Sequence, residues 1–325
     1  MTNNNYPKPE LLAITLRGNS VETLHYGWIC ILNKDKKIIF QKGNIKDSIY
    51  LRSAAKPLQA IPFVENSENI NPKELSIICG SHSGSKKHLL LLRNIIKKYN
   101  LPLTELQCGI HQPLDEKERE RLLTNNQKPS ILHNNCSGKH LGMISTCIKN
   151  HWDLKTYLNS NHKLQQKILS DIRTLSETKN ITIGIDGCSA PTFSLPIINI
   201  AKLFSNFTSS NTLSYKKIIV AMKKYPFYMG SQGQIDSELM SSSKLNLISK
   251  VGAEGIIIAA YRGTSVIVKI ADGSQKIRSS IIIELLAKLG WIKKSDLFHR
   301  LPDDLIKNEV RNLTKKLIGK VELFI

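Results

Sequence analysis

Apolar residues alternate with polar ones, or run as β-branched stretches, at both ends of the chain. "LLAITLRG" (11–18) and "HYGWICILNKDKKIIFQKG" (25–43) read as strands, the second broken by Asn33-Lys34-Asp35-Lys36-Lys37, which predicts a hairpin. "GIIIAAYRGTSVIVKIADG" (255–273) predicts another, turning near Arg262-Gly263 and followed by a helix over 279–289 and a polar, Lys-rich tail. Between the ends the period changes. Apolar residues recur at helical spacing over 86–99, 114–123, 138–149, 161–178, 195–205 and 214–224, and Pro102, Pro113, Pro196 and Pro226 mark boundaries. Exposed strand edges need partners, so the terminal hairpins are expected to share one largely antiparallel sheet with the middle helices packed on it. The expected class is α+β, in a sandwich-like arrangement. The unit spans 8–325 and divides into a sheet lobe drawn from both ends and a helical lobe over about 53–245, with no internal repeat or low-complexity linker.

Composition changes this picture little. With 41% hydrophobic and 22% charged residues the chain has ordinary globular content. Its formal charge of +20 first suggests nucleic acid. The lysines, however, form scattered pairs such as Lys36-Lys37, Lys97-Lys98 and Lys223-Lys224, and only ten of the 46 basic residues are Arg. Scattered charge is a poor footprint for a phosphate backbone. The abundance of Lys, Asn and Ile is what A/T-rich coding favours. "MTNNNYPKPE" lacks the basic segment and apolar run of a secretory signal, and no run reaches the ~18 apolar residues of a membrane helix. A cytoplasmic protein with six thiols (Cys30, Cys79, Cys108, Cys136, Cys147, Cys188) that serve as core residues or ligands is therefore expected, without a disulfide framework.

Candidate chemistry lies in polar islands. "LRSAAKPLQA" (51–60) sets Ser53 and Lys56 three positions apart, on one face of a helix start. A neutral lysine there would accept the serine proton, but neutrality near pH 7 costs roughly 4 kcal/mol and needs burial or neighbouring positive charge. The same stretch reads equally as an N-cap serine and a solvated lysine. "ICGSHSG" (78–84) offers Ser81, His82 and Ser83 in a loop ahead of a helix, which is also an ordinary Ser/Gly turn. "HNNCSGKH" (133–140) and "IDGCSAP" (185–191) each bring a cysteine, Cys136 and Cys188, near Lys139 and Asp186, without the C-x-x-C spacing of zinc sites. Lys269 in "VKIADG" stands in an apolar strand, where a lysine usually faces solvent. A strand lysine beside S-x-x-K is similar to the arrangement of penicillin-recognising enzymes.

Taken in order, "RSAAKPLQAIP", "CGSHSG", "HNNCSGKHLGM", "IDGCSAPTFSLPI", "VGAEGIIIAAYRG", "VKIADG" and "RNLTKKLIGKVEL" resemble the bacterial asparaginase II family of the Rhizobium etli type, from about residue 8 to the end. The resemblance implies a serine β-lactamase and glutaminase-like fold. It also implies hydrolysis of L-asparagine to L-aspartate and ammonia by two Ser-Lys pairs. Ser53 and Lys56 match the first pair, with Ser53 the nucleophile; Ser81 and Lys269 best match the second, with Ser83 as fallback. Arg52 and Asp186 would hold the substrate or the site, Asp186 facing the α-ammonium. Cys136, Lys139 and Cys188 match a zinc site, with His133 and His140 behind it, and a homodimer is implied. Other readings left open are a different small-amide hydrolase, such as a glutaminase or β-lactamase-like enzyme, and a basic nucleic-acid-binding protein.

Overall fold

A computed structural model describes residues 6–325. Its strands are β1 (Glu10–Arg17), β2 (Ser20–Leu32), β3 (Ile38–Lys42), β4 (Ser48–Tyr50), β5 (Thr182–Ile185), β6 (Pro191–Pro196), β7 (Ile248–Val251), β8 (Ile256–Tyr261), β9 (Thr264–Ile270), β10 (Glu309–Arg311) and β11 (Leu317–Leu323). The main sheet runs β10-β11-β1-β2-β9-β8-β7, and β3 lies beside the second half of β2, on the edge whose first half takes β1. Its strand pairings are antiparallel, as the terminal hairpins predict. The β8–β9 hairpin turns at Arg262 (φ 44°) and Gly263 (φ 84°). Two successive positive φ values in a two-residue loop give the twist that a tight hairpin needs.

Strand alternation divides the core in two. Trp28, Cys30, Leu32, Ile256, Ile258 and Ile267 face the helical body, whereas Ile29, Ile31, Ile257, Val266, Val268 and Ile270 face the opposite side. The second face is covered by helix Gln275–Lys288 through Ile277, Ile281, Ile282 and Leu285. The first is covered chiefly by helix Ile197–Ser209, which packs across β2, β8 and β9. The class is α+β, with the sheet between two helical layers. Because both faces are buried, the central strands read as continuous apolar runs and not as alternating ones.

Helices Lys86–Tyr99, Ser137–Lys149, Lys163–Ser176 and Leu213–Lys224 stand within two residues of the predicted spans. Other elements depart from expectation: helix Ile197–Ser209 runs four residues past the predicted 205. The Lys-rich tail is the β10–β11 hairpin, and β11 completes the sheet along β1. Residues 182–185 and 191–196 pair with each other and with β4 as a small second sheet, β4-β6-β5. Helix Gln275–Lys288 starts four residues before the predicted 279, capped by Ser274, whose Oγ accepts from the Ile277 amide.

Candidate active site

Strand β4 delivers the chain to Ser53. The Leu51 amide donates to the Phe193 carbonyl at 2.9 Å, after which Arg52 adopts φ 48° and a 3-10 turn, Arg52–Ala55, begins. A non-glycine residue in the left-handed region is held there by its surroundings. Here the guanidinium does so: Arg52 Nε and Nη2 each lie 2.8 Å from Asp186 Oδ1. Gly252 allows the turn to lie against the end of β7, since a Cβ there would stand 2.7 Å from the Leu51 carbonyl oxygen. Ser53 emerges on the wall of a cleft of about 540 Å³, which Ser81, Asn135, Asp236 and Arg278 also line. That volume falls in the range of about 300–1,000 Å³ typical of small-molecule sites.

Lys56 is 1% exposed, and its Nζ donates to Ser81 Oγ at 2.8 Å and to the Asn135 carbonyl at 3.1 Å. Apolar Leu51, Ala54, Ala55 and Leu58 surround its stem, so the solvated-lysine reading of S-x-x-K does not hold. Lys56 Nζ thus bonds Ser81 and not its own S-x-x-K serine. Ser81 is fixed by its amide, which donates to the Met229 carbonyl at 2.7 Å. The preceding Gly80 makes that approach possible, because a Cβ would stand 2.4 Å from the same oxygen. Ser83 turns away, its amide on the Gly230 carbonyl and its hydroxyl towards His88, so the loop offers Ser81 to the cleft. His82 is fully buried between Ser137 Oγ and the Gly84 amide, and burial holds its pKa well below the usual range.

The structure does not bring Lys269 to either serine. Its ammonium donates to the Ile270 carbonyl at 2.6 Å at the end of β9, and the charges it faces are Glu254 and Asp272. A second lysine is more deeply buried. Lys250, on β7, is fully buried, with Nζ 3.3 Å from Asp236 Oδ2 and 2.9 Å from the Val251 carbonyl. Burial pushes its pKa down to about 8. The attraction of Asp236 opposes the shift and the charge of Lys56 adds to it. A signal was present in the sequence: "ISKVGAEG" places one lysine in an apolar strand beside two glycines that admit close packing. Choosing between Lys250 and Lys269 required the tertiary structure, which buries Lys250 fully on β7, opposite Ile258, and leaves Lys269 on β9, opposite Ile256, only partly buried.

The thiol cluster assembles from two distant pieces. Cys136 caps helix Ser137–Lys149 and Lys139 follows one turn later on the same face, while Cys188 comes from the β5–β6 turn that also carries Asp186. Lys139 Nζ donates to Cys188 Sγ at 3.0 Å, and all three residues are buried. The neighbouring Cys188 draws the Cys136 pKa well down against the effect of burial, and the pKa of Cys188 is raised in turn. Burial opposes the charge of Lys139, but the two sulfurs outweigh it and raise its pKa. Desolvation instead pushes Cys30, Cys108 and Cys147 up to about 12, which marks them as inert core thiols. His140 lies beneath the cluster, with Nδ1 2.7 Å from the Tyr157 hydroxyl and a buried Nε2 aimed at Cys188 without a well-formed hydrogen bond. His133 is engaged elsewhere, with Ser130 and Glu118. Asp186 is not among the residues lining the cleft. Burial would raise its pKa, but the Gly187 amide, Arg52 and Lys139 hold it low, and its carboxylate accepts from Arg52.

A cleft with two serines on its wall, one of them bonded to a buried lysine, is equipment for acyl transfer, and over residues 13–323 the chain matches a family of amidohydrolases. That family is L-asparaginase II, and the chain belongs to it. No curated protein matches the chain. Among solved structures it is similar to a β-lactamase from Mycobacterium bovis (12% identity, TM-score 0.42, covering 81% of this chain and 94% of that one). It is also similar to a protein described as a β-lactamase from Bacteroides dorei (12% identity, TM-score 0.45, covering 81% and 92%). No helix among the described residues is long and apolar enough to cross a membrane.

Proposed function

We propose that the chain is an asparaginase of the Rhizobium etli type that hydrolyses L-asparagine to L-aspartate and ammonia through a serine acyl-enzyme. The observation that carries this reading is the 2.8 Å bond from buried Lys56 to Ser81 under a cleft whose wall holds Ser53. Ser53 Oγ attacks the side-chain carbonyl carbon, and its proton passes to the Ser81–Lys56 pair and on to the leaving nitrogen. The C–N bond breaks, ammonia departs, and an aspartyl ester remains on Ser53. Water then attacks the ester, giving up a proton as the serine recovers its own. Lys250, with its pKa near 8, is the lysine that can be neutral close to physiological pH, and it takes the role first expected of Lys269. Arg52, held by Asp186, fixes the backbone on which Ser53 is displayed. An ammonia-release panel checks the substrate: L-asparagine is expected to be turned over at least about 10-fold faster than L-glutamine, one methylene longer, and than a chromogenic lactam. A glutamine or lactam preference would transfer the activity to another small amide.

Cys136, Cys188 and Lys139 fit a zinc ion. They offer two sulfur donors and an amine within 3.0 Å of sulfur, with the unsatisfied His140 Nε2 behind them. When bound, zinc would supply positive charge that positions the substrate, at the expense of the protons on Cys188 and Lys139. Protein purified without added metal is expected to contain about one zinc per chain by elemental analysis, and Cys136→Ala to lose it. Wild-type protein with none would remove the metal from this reading. A cytoplasmic homodimer belongs to the same proposal. Association is supported by exposed Val21, Leu24 and Tyr26 on β2 and Ile38 and Ile39 on β3.

A further inference from the structure

We propose that Arg278 is the receptor for a carboxylate of the substrate, and that through it the cleft selects acids over the corresponding neutral esters. The inference rests on the asparaginase reading above and adds a group that the motifs do not contain.

Arg278 sits in the first turn of helix Gln275–Lys288, one of four residues near the start of that helix (with Gln275, Lys276 and Ser279) that line the same cleft as Ser53 and Ser81. It is 5% exposed, yet among the described residues its guanidinium makes no hydrogen bond and no ion pair, and its buried Nε is unsatisfied. Such a state is costly: arginine cannot shed its proton to escape burial, and a desolvated charge needs a partner. The nearest acid does not provide one. Asp236 contributes a longer-range attraction, but its Oδ2 accepts from Lys250 Nζ and the Val251 amide and its Oδ1 from the Ser237 amide.

The other cations around the cleft are committed. Lys276 reaches the Glu309 carbonyl and Asp304, Arg52 holds Asp186, and Lys56 holds Ser81. The first turn of the helix contains no acidic residue, and of the acids lining the cleft Asp304 faces Lys276 and Asp236 is bonded to Lys250. A guanidinium is planar and has paired N–H donors, which match the two oxygens of a carboxylate. Seated there, a substrate carboxylate satisfies this unpaired buried charge and leaves the amide end of the molecule in the same cleft as the serines. An ester at the same place leaves that charge unpaired.

The test compares L-asparagine with its α-methyl ester, reading ammonia released from the side chain, in wild type, Arg278→Met and Arg278→Lys. Wild type is expected to favour the acid by about 100-fold or more in kcat/KM. Arg278→Met should raise KM for L-asparagine by about 30-fold, with a smaller change in kcat, and bring the acid-to-ester ratio within a few fold; Arg278→Lys should retain part of the preference. Calorimetry with L-aspartate adds a readout independent of turnover, and its affinity should fall with the KM effect. A preference that persists in Arg278→Met, or losses equal on both substrates, overturns the proposal. Should that variant fail to fold, equal wild-type rates on acid and ester overturn it, and a preference weakened in Arg278→Lys supports it. Wild-type protein that releases no ammonia from L-asparagine but binds L-aspartate through Arg278 would retain the carboxylate receptor and discard the asparaginase reading.

Discussion

Ser53→Ala is expected to lower ammonia release from L-asparagine by about 10⁴-fold or more, to the limit of detection, because removing a nucleophile leaves only binding and electrostatic contributions. The variant should fold normally. The Ser53 side chain is only half-buried, the fold makes no use of its hydroxyl, and what positions the residue is backbone: the Leu51–Phe193 hydrogen bond and the Arg52 anchor on Asp186. Melting temperature should therefore stay within a few degrees of wild type, which separates chemical from structural loss. Ser81→Ala, which takes away the hydroxyl bonded to Lys56, should cost about 10²-fold or more while Ser53 still forms an ester that mass spectrometry can trap. Wild-type turnover in Ser53→Ala would remove Ser53 as nucleophile. An ester found on Ser81 would exchange the two serines.

The second large effect separates two lysines. Lys250→Met is expected to cost about 10²-fold or more in kcat/KM, and Lys269→Met less than about threefold, since only Lys250 is buried next to the Lys56 charge. The sign of the pH dependence follows from burial. Desolvation destabilises the ammonium of Lys250 and brings its pKa to about 8, so the neutral, proton-accepting form grows as pH rises through that value. Wild-type kcat/KM should accordingly climb between about pH 7 and 9 and fall towards acid, and Lys250→Met should flatten that limb. The substitution also strands the fully buried Asp236, so stability is expected to drop by about 3 kcal/mol, and rates belong at a temperature where the variant remains folded. A profile unchanged in Lys250→Met, or a collapse in Lys269→Met, would restore the lysine first read from the sequence.

The elements legible in the sequence were those whose pattern is local. Helix Lys86–Tyr99 has one apolar stripe, formed by Leu89, Leu92 and Ile95, and its limits can be counted off at helical period. The β8–β9 hairpin carries its own turn at Arg262-Gly263. Strand β11 was missed because "LIGKVEL" has lysine and glutamate on its exposed positions and acquires its identity from pairing with β1, some three hundred residues away. The small β4-β6-β5 sheet was missed for the same reason, as β4 and β5 have three and four residues and pair only through β6.

The site divides along the same line. Covalent spacing alone placed Ser53 beside Lys56 and Cys136 beside Lys139, because residues three apart at a helix start share a face whatever the rest of the chain does. Which lysine approaches which serine, which strand lysine is buried, and which arginine is left without a partner depended on contacts between segments tens to hundreds of residues apart. Lys56 met Ser81 because the Gly80 loop packs on Met229, and Lys250 is fully buried against Asp236 whereas Lys269 is only partly buried. Local chemistry is written in sequence spacing, whereas burial, and with it the proton affinity of a lysine or the unmet charge of Arg278, exists only once the sheet and its two helical layers have closed.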